Sequence, residues 1–313
     1  MRFEVPAATN CTPDHELHAG PFSRTTPLLH VGLSLENTGR SVLEGHTAPA
    51  KRSGPRERTD PTPGPSGSIG RARLQAMITR TVEVETVDGA MALYEAMPEG
   101  GATRGVVVFQ EAFGVNEHIE DVTRRVAEAG YHAVAPHVFH RAGGGTAPYD
   151  DFSKVLPMFE GLTDDGILMD VDAAVAHLAA AGIAAPATGI VGFCMGGRAT
   201  FLVAASRALG ASVGFYGGGI VTGRFPQFPP LVDRSATLQT PWLGLFGDAD
   251  AGIPIDDVEA LRSALEAAPV DTEVVRYAGA DHGFNCDMRP SFHPEAAADA
   301  WARTLAWFET HLA

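Results

Sequence analysis

Six residues, Gly192-Phe193-Cys194-Met195-Gly196-Gly197, constrain the fold more than any other stretch. They follow an apolar run, Ala187 to Val191, and precede a pattern in which Ala199, Leu202, Val203 and Ala205 recur at helical spacing. The local reading is strand, sharp turn, helix. Small residues two before and two after the apex let the backbone bend tightly enough to lift the apical side chain clear of a sheet. That residue is Cys194, and the helix behind it aims free N–H groups at the sulfur, which favours thiolate over thiol. An isolated cysteine is usually buried and inert. The flanking glycines and the strand-to-helix setting make Cys194 a candidate nucleophile instead.

From Thr79 onward the chain is regular. Thr81 to Thr86 and Met91 to Met97 alternate around Val87-Asp88-Gly89, an opening hairpin. Gly105 to Phe109 and Tyr131 to Ala135 read as short buried strands, with a helix over His118 to Ala129 between them. Asp164 to Ala181 is an amphipathic helix with Ile167, Leu168, Val171, Val175 and Leu178 inward. After the Cys194 turn the pattern predicts strands at Ser212 to Tyr216, Pro241 to Phe246 and Thr272 to Tyr277. Helices are predicted over Ile255 to Ala267 and Pro294 to Leu312, the last packed through Ala297, Trp301, Leu305 and Phe308. Strands alternating with helices imply an α/β domain with a mostly parallel central sheet and helices on both faces. In such sheets ligands bind outside the C-terminal strand ends. The loops after Phe109, Ala135, Phe193, Phe246 and Tyr277 are therefore where chemistry is expected.

Two of those loops carry further candidates. Gly247-Asp248-Ala249-Asp250 follows one strand and Asp281-His282-Gly283-Phe284 lies just after another. Nucleophile, acid, then histidine, each at a strand end, is the chain order of the α/β-hydrolase triad. In that arrangement Cys194 attacks, His282 shuttles the proton, and Asp250 or Asp248 orients the imidazole. Asp281 adjoins the histidine, but its carboxylate is expected to point elsewhere, into solvent. The backbone N–H groups of Met195 and Ala112 are candidate donors to an oxyanion. Glu111, beside Ala112, is a candidate second base for the thiol.

Gln110-Glu111-Ala112-Phe113-Gly114-Val115, the Cys194 turn, Phe246-Gly247-Asp248-Ala249-Asp250 and His282-Gly283-Phe284 together resemble the dienelactone hydrolase family, over about Thr79 to Ala313. Cysteine at the turn is the distinguishing mark, since most α/β-hydrolases place serine there. The resemblance implies an α/β-hydrolase fold and hydrolysis of a lactone or carboxylic ester. It also implies Asp250 as the triad acid and Glu111 as a glutamate that contacts and helps to ionise the thiol. Arg141, in Pro136-His137-Val138-Phe139-His140-Arg141, matches one of two arginines that hold a substrate carboxylate, a role suited to guanidinium. The second is expected four residues after His282, where this chain has Cys286. Arg289 is the substitute offered by the same loop, and Phe113 joins Arg141 and Arg289 as an expected substrate contact. Cys286, which lacks such a turn, is expected to be a loop or pocket-wall thiol. The implied partner is a small lactone or ester, with no cofactor, bound by a monomer or homodimer. A broad carboxylesterase or thioesterase is one alternative. A non-catalytic thiol sensor is the other, and it would have no use for an acid behind His282.

Charge and composition narrow the choice. A formal charge of −15 excludes nucleic acid as an expected partner. Residues 1–76 hold 9 of the 22 prolines without a sustained period, and read as a disordered leader ahead of one domain at 77–313, with Met77 an alternative natural start. The leader's 9 basic and 7 acidic residues leave 14 basic against 31 acidic residues in the domain. Cys11, Cys194 and Cys286 show no paired spacing, and no secretory pattern or apolar run of about 18 residues occurs. A cytoplasmic setting away from membranes is the expectation. His137 and His140 are spaced H-x-x-H without a third ligand nearby, so no metal is expected.

Overall fold

The computed structural model describes residues 76–313; the readings made for the leader lie outside them, apart from its last residue. Eight strands form one sheet: β1 (Met77–Thr86), β2 (Gly89–Pro98), β3 (Gly105–Phe109), β4 (His132–Pro136), β5 (Thr188–Phe193), β6 (Ala211–Phe215), β7 (Trp242–Gly247) and β8 (Thr272–Tyr277). Their spatial order is β1-β2-β4-β3-β5-β6-β7-β8. The expected hairpin is present: β1 runs antiparallel to β2, and β2 antiparallel to β4. Every other neighbouring pair is parallel. The central strands β3, β4, β5 and β6 are buried throughout, whereas β1 is mostly exposed. Continuous apolar runs against an alternating polar one are what a sheet covered on both faces and its edge require.

Five helices cover the sheet: α1 (Glu117–Glu128), α2 (Asp164–Ala180), α3 (Met195–Ala204), α4 (Ile255–Leu265) and α5 (Pro294–His311). Side-chain caps start three of them, with Asn116, Thr163 and His293 accepting from the backbone N–H groups of Ile119, Gly166 and Ala296. Two glycines reveal the layering. A Cβ on Gly105 would stand 3.0 Å from Leu178 of α2, and one on Gly189 3.0 Å from Phe308 of α5. Gly189 pairs with Val106, the neighbour of Gly105, so the two glycines face opposite sides, and α2 and α5 lie on opposite faces. This is the α/β-hydrolase fold, with the C-terminal ends of β3, β5, β7 and β8 turned to one edge.

The packing of two helices is finer than the sequence suggests. On α5 the expected Ala297 and Phe308 are buried and Trp301 and Leu305, partly buried, pack against the core, while Ala296, Ala300 and Thr304 are buried beside them. On α2, Val175 is half-buried and Asp170 is fully buried. The periodicity hides a charged residue in the interior because its partners lie on a distant loop. Short 3₁₀ turns at His140–Ala142, Phe152–Lys154, Leu156–Phe159, Ala185–Ala187 and Val232–Thr237 fill stretches that had no periodic signal.

Candidate active site

Cys194 stands between β5 and α3 with φ 56° and ψ −113°. This is a strained backbone for a residue with a Cβ and costs on the order of 1–3 kcal/mol. The surrounding structure enforces it. A Cβ on Gly192 would lie 2.2 Å from the Gly196 carbonyl oxygen, and one on Gly196 would lie 2.6 Å from the carbonyl oxygens of Phe109 and Gln110. Glycine at both positions is thus a demand of close backbone approach. The Cys194 N–H donates to the Phe215 carbonyl at 3.0 Å, and the Cys194 carbonyl accepts from Arg198 N–H at 3.2 Å as the first turn of α3.

The acid and the histidine meet. His282 Nδ1 lies 2.6 Å from Asp250 Oδ2, and Asp250 Oδ1 accepts from the Gly252 N–H at 2.8 Å. Asp250 is buried, whereas His282 is partly exposed. Burial works against a charged imidazole here, but the sulfur of Cys194 and the carboxylate of Asp250 outweigh it and raise the His282 pKa to about 10. Asp248, the alternative acid, is instead 2.7 Å from Arg276 Nε. Asp281 is exposed and accepts from the His282 N–H at 2.6 Å, so it shapes the loop rather than the imidazole.

Cys194 and His282 line a cavity of about 330 Å³, together with Met195, Ala112, Phe113 and Arg289. That volume suits a small organic ligand. Met195 N–H heads α3 and has no acceptor within the helix. Glu111, next to Ala112 in the chain, is fully buried, and neither of its carboxylate oxygens is hydrogen-bonded among the described residues. Its nearest cation is Arg289, whose Nη1 is 3.5 Å away. Arg289 lines the cavity, with its guanidinium carbon 5.2 Å from the Tyr149 ring centre and 5.9 Å from that of Phe113. Gly283 makes room for it: a Cβ there would lie 2.5 Å from Arg289 Nη1. Cys286 is buried, its thiol 3.5 Å from the Tyr149 hydroxyl, and burial pushes its pKa up.

Arg141 is not part of this cavity, which corrects the role expected for it. Its Nη1 and Nη2 lie 2.8 and 2.9 Å from the two oxygens of buried Asp170, and its Nε lies 2.7 Å from Asp88. Its guanidinium is occupied in joining α2 and the hairpin turn. Other arginines and aromatic residues take the space. Arg198, Arg224, Phe152, Phe159, Phe225 and Phe228 also line the cavity, and none was singled out from the sequence. They lie in α3 and in aperiodic loops; aromatic residues clustered in loops past the strand ends were the available signal.

A second polar cluster lies away from the cavity. Glu95 Oε1 is 2.6 Å from His132 Nε2 and 2.8 Å from His177 Nε2, and Arg80 pairs with its other oxygen. The three donor atoms are close enough to hold a metal ion. The guanidinium already balances the carboxylate, however, and a divalent ion would leave excess positive charge in a mostly buried place. His140 of the H-x-x-H pair lies 3.1 Å from Asp170, outside that cluster. Among the described residues, no helix is long and apolar enough to cross a membrane.

Comparison with known proteins gives the family. A protein of Methylorubrum extorquens named for carboxymethylenebutenolidase activity is 40% identical over 240 residues, covering 75% of this chain and 82% of that protein. A Bradyrhizobium protein named for 2-oxo-3-(5-oxofuran-2-ylidene)propanoate lactonase activity is 33% identical over 245 residues, covering 75% of this chain and 98% of its own. A crystal structure from Klebsiella pneumoniae, named for dienelactone hydrolase, superposes with a TM-score of 0.70 at 40% identity, covering 75% of this chain and all of that one. The match to the family itself spans residues 91–312, and the chain therefore belongs to the dienelactone hydrolase family.

Proposed function

We propose that this chain hydrolyses a lactone or carboxylic ester through Cys194, His282 and Asp250. The observation that carries the reading is the 2.6 Å contact of His282 Nδ1 with buried Asp250, with His282 and the strained Cys194 facing one cavity. The Cys194 thiol gives its proton to His282, its sulfur attacks the carbonyl carbon, and the carbonyl oxygen takes negative charge beside the N–H groups of Met195 and Ala112. Collapse breaks the C–O bond, and His282 protonates the departing oxygen. A thioester remains. Water then attacks it, giving its proton to His282, and collapse releases the acid and returns the sulfur. Asp250 holds the imidazole with Nε2 free for both transfers. Glu111, uncompensated by any hydrogen bond, is the reserve base for the thiol.

The test is the ultraviolet loss of cis- and trans-dienelactone beside an activated ester such as 4-nitrophenyl acetate, with wild type and Cys194→Ala. Turnover that vanishes in the variant supports the reading. Full activity without the thiol overturns it. Turnover of the ester alone retains the mechanism and assigns the cavity to another acyl group.

A further inference from the structure

Three guanidinium groups line the cavity, and they are not equivalent. Arg198 is committed: it forks onto Asp164 at 2.6 and 3.1 Å and donates to the Pro229 carbonyl at 2.7 Å. Arg289 faces Glu111. Arg224 pairs with no carboxylate among the described residues. Of the fourteen lysines and arginines among the described residues, all but Arg224 and Arg234 are ion-paired, and only Arg224 of these two reaches the cavity. In a domain with more than twice as many acidic as basic residues, an unpaired guanidinium at a cavity rim is conspicuous. Among the described residues its side chain donates only to the Gly252 carbonyl, at 3.3 Å, which leaves most of its five N–H donors available.

Arg224 is held through its backbone, and its side chain is exposed at the cavity rim. Its N–H donates to the Phe228 carbonyl at 3.1 Å, and the Phe228 N–H donates back to Phe225 at 2.8 Å, closing a tight turn whose two phenylalanines form the aromatic wall. Gly218 and Gly252 flank the guanidinium, and a Cβ on either would lie 3.5 Å from Nη1. Asp250 lies on the same loop as Gly252, but its two oxygens are taken by His282 and the Gly252 N–H. The positions where the family resemblance puts carboxylate binders are spent or uncharged, since Arg141 serves Asp170 and residue 286 is a cysteine.

We propose that Arg224 is the specificity-determining residue for an acidic substrate. It would bind a carboxylate carried by the acyl part of the ester, beside the Gly218 and Gly252 backbone that flanks the guanidinium. The inference rests on the esterase reading above for the identity of the ligand, and its test is arranged to fail separately.

The experiment compares mono-4-nitrophenyl glutarate with its neutral methyl ester, using wild type, Arg224→Ala and Arg224→Lys. Wild type should favour the acid ester in kcat/KM. Arg224→Ala should lose about tenfold or more on the acid ester, the scale of a charge-assisted hydrogen bond, with the neutral ester nearly unchanged. Lysine should restore part of the loss. Equal treatment of the two esters by wild type, or an equal loss on both in Arg224→Ala, overturns the proposal. Calorimetry of mono-4-nitrophenyl glutarate with Cys194→Ala, in the presence and absence of Arg224→Ala, gives a readout that needs no turnover. Binding that weakens about tenfold without Arg224 sustains the subsite even if neither ester is hydrolysed, in which case the esterase reading alone falls. Binding indifferent to Arg224 sinks the subsite.

Discussion

Arg141 and Asp170 form a two-pronged ion pair, at 2.8 and 2.9 Å, between the loop after β4 and the interior of α2. Asp170 is fully buried and also lies 3.1 Å from His140. A carboxylate in that position depends on its partners, and so do they.

Asp170→Ala should therefore lower stability by about 3–5 kcal/mol, the cost of leaving one member of a buried pair alone. Thermal unfolding checks it. Arg141→Ala should also lower Tm, with KM for a neutral ester little changed. A raised KM at unchanged Tm would instead return Arg141 to substrate binding.

Asp250→Asn should cut kcat by about 10²–10⁴ with little change in KM, since the imidazole loses both its orientation and its charge partner. Steady-state kinetics on an activated ester measure this. Asp248→Asn should leave kcat near wild type, because that carboxylate faces Arg276.

The folded-state pKa of His282, about 10, lies above its ordinary value of about 6.5. Its contribution to stability is thus fully present below about pH 6.5 and is lost as pH rises through about 10. Urea unfolding between pH 6 and 11 should show the gap between wild type and His282→Asn narrowing over that window. Histidine NMR titration should place the wild-type midpoint high, and Cys194→Ala should bring it down.

Glu95 behaves oppositely. Burial pushes its pKa up, but donors from Arg80, His177 and His132 prevail and hold it at about 2. A depressed carboxylate contributes stability present above about pH 4.5 and lost as pH falls through about 2. Glu95→Gln should lower Tm clearly at pH 7, and the difference should shrink in acid.

Gly283→Ala forces a Cβ to within 2.5 Å of Arg289 Nη1 at a residue with φ +80°. The expected cost is about 1–3 kcal/mol, with Arg289 displaced from the cavity. Denaturant midpoints and KM should both change.

Short-range order was legible in the residues themselves. The apolar runs of β3, β5 and β7, the glycines around Cys194 and the sequence of thiol, acid and histidine at strand ends follow from local sterics and burial. They needed no knowledge of distant contacts. Asp250 and Asp248, two residues apart in one loop, could not be separated on those grounds. The fold turns one toward His282 and the other toward Arg276. The same holds for the cations. Whether an arginine meets a ligand or a protein carboxylate depends on which acid the tertiary structure brings within reach. Arg141 found Asp170, twenty-nine positions away. Arg289 reached the cavity through the space left at Gly283, and Arg224 arrived there with no carboxylate partner among the described residues. Hydrophobic periodicity records what is buried, whereas ion pairing across the sheet is decided by where the buried elements come to rest.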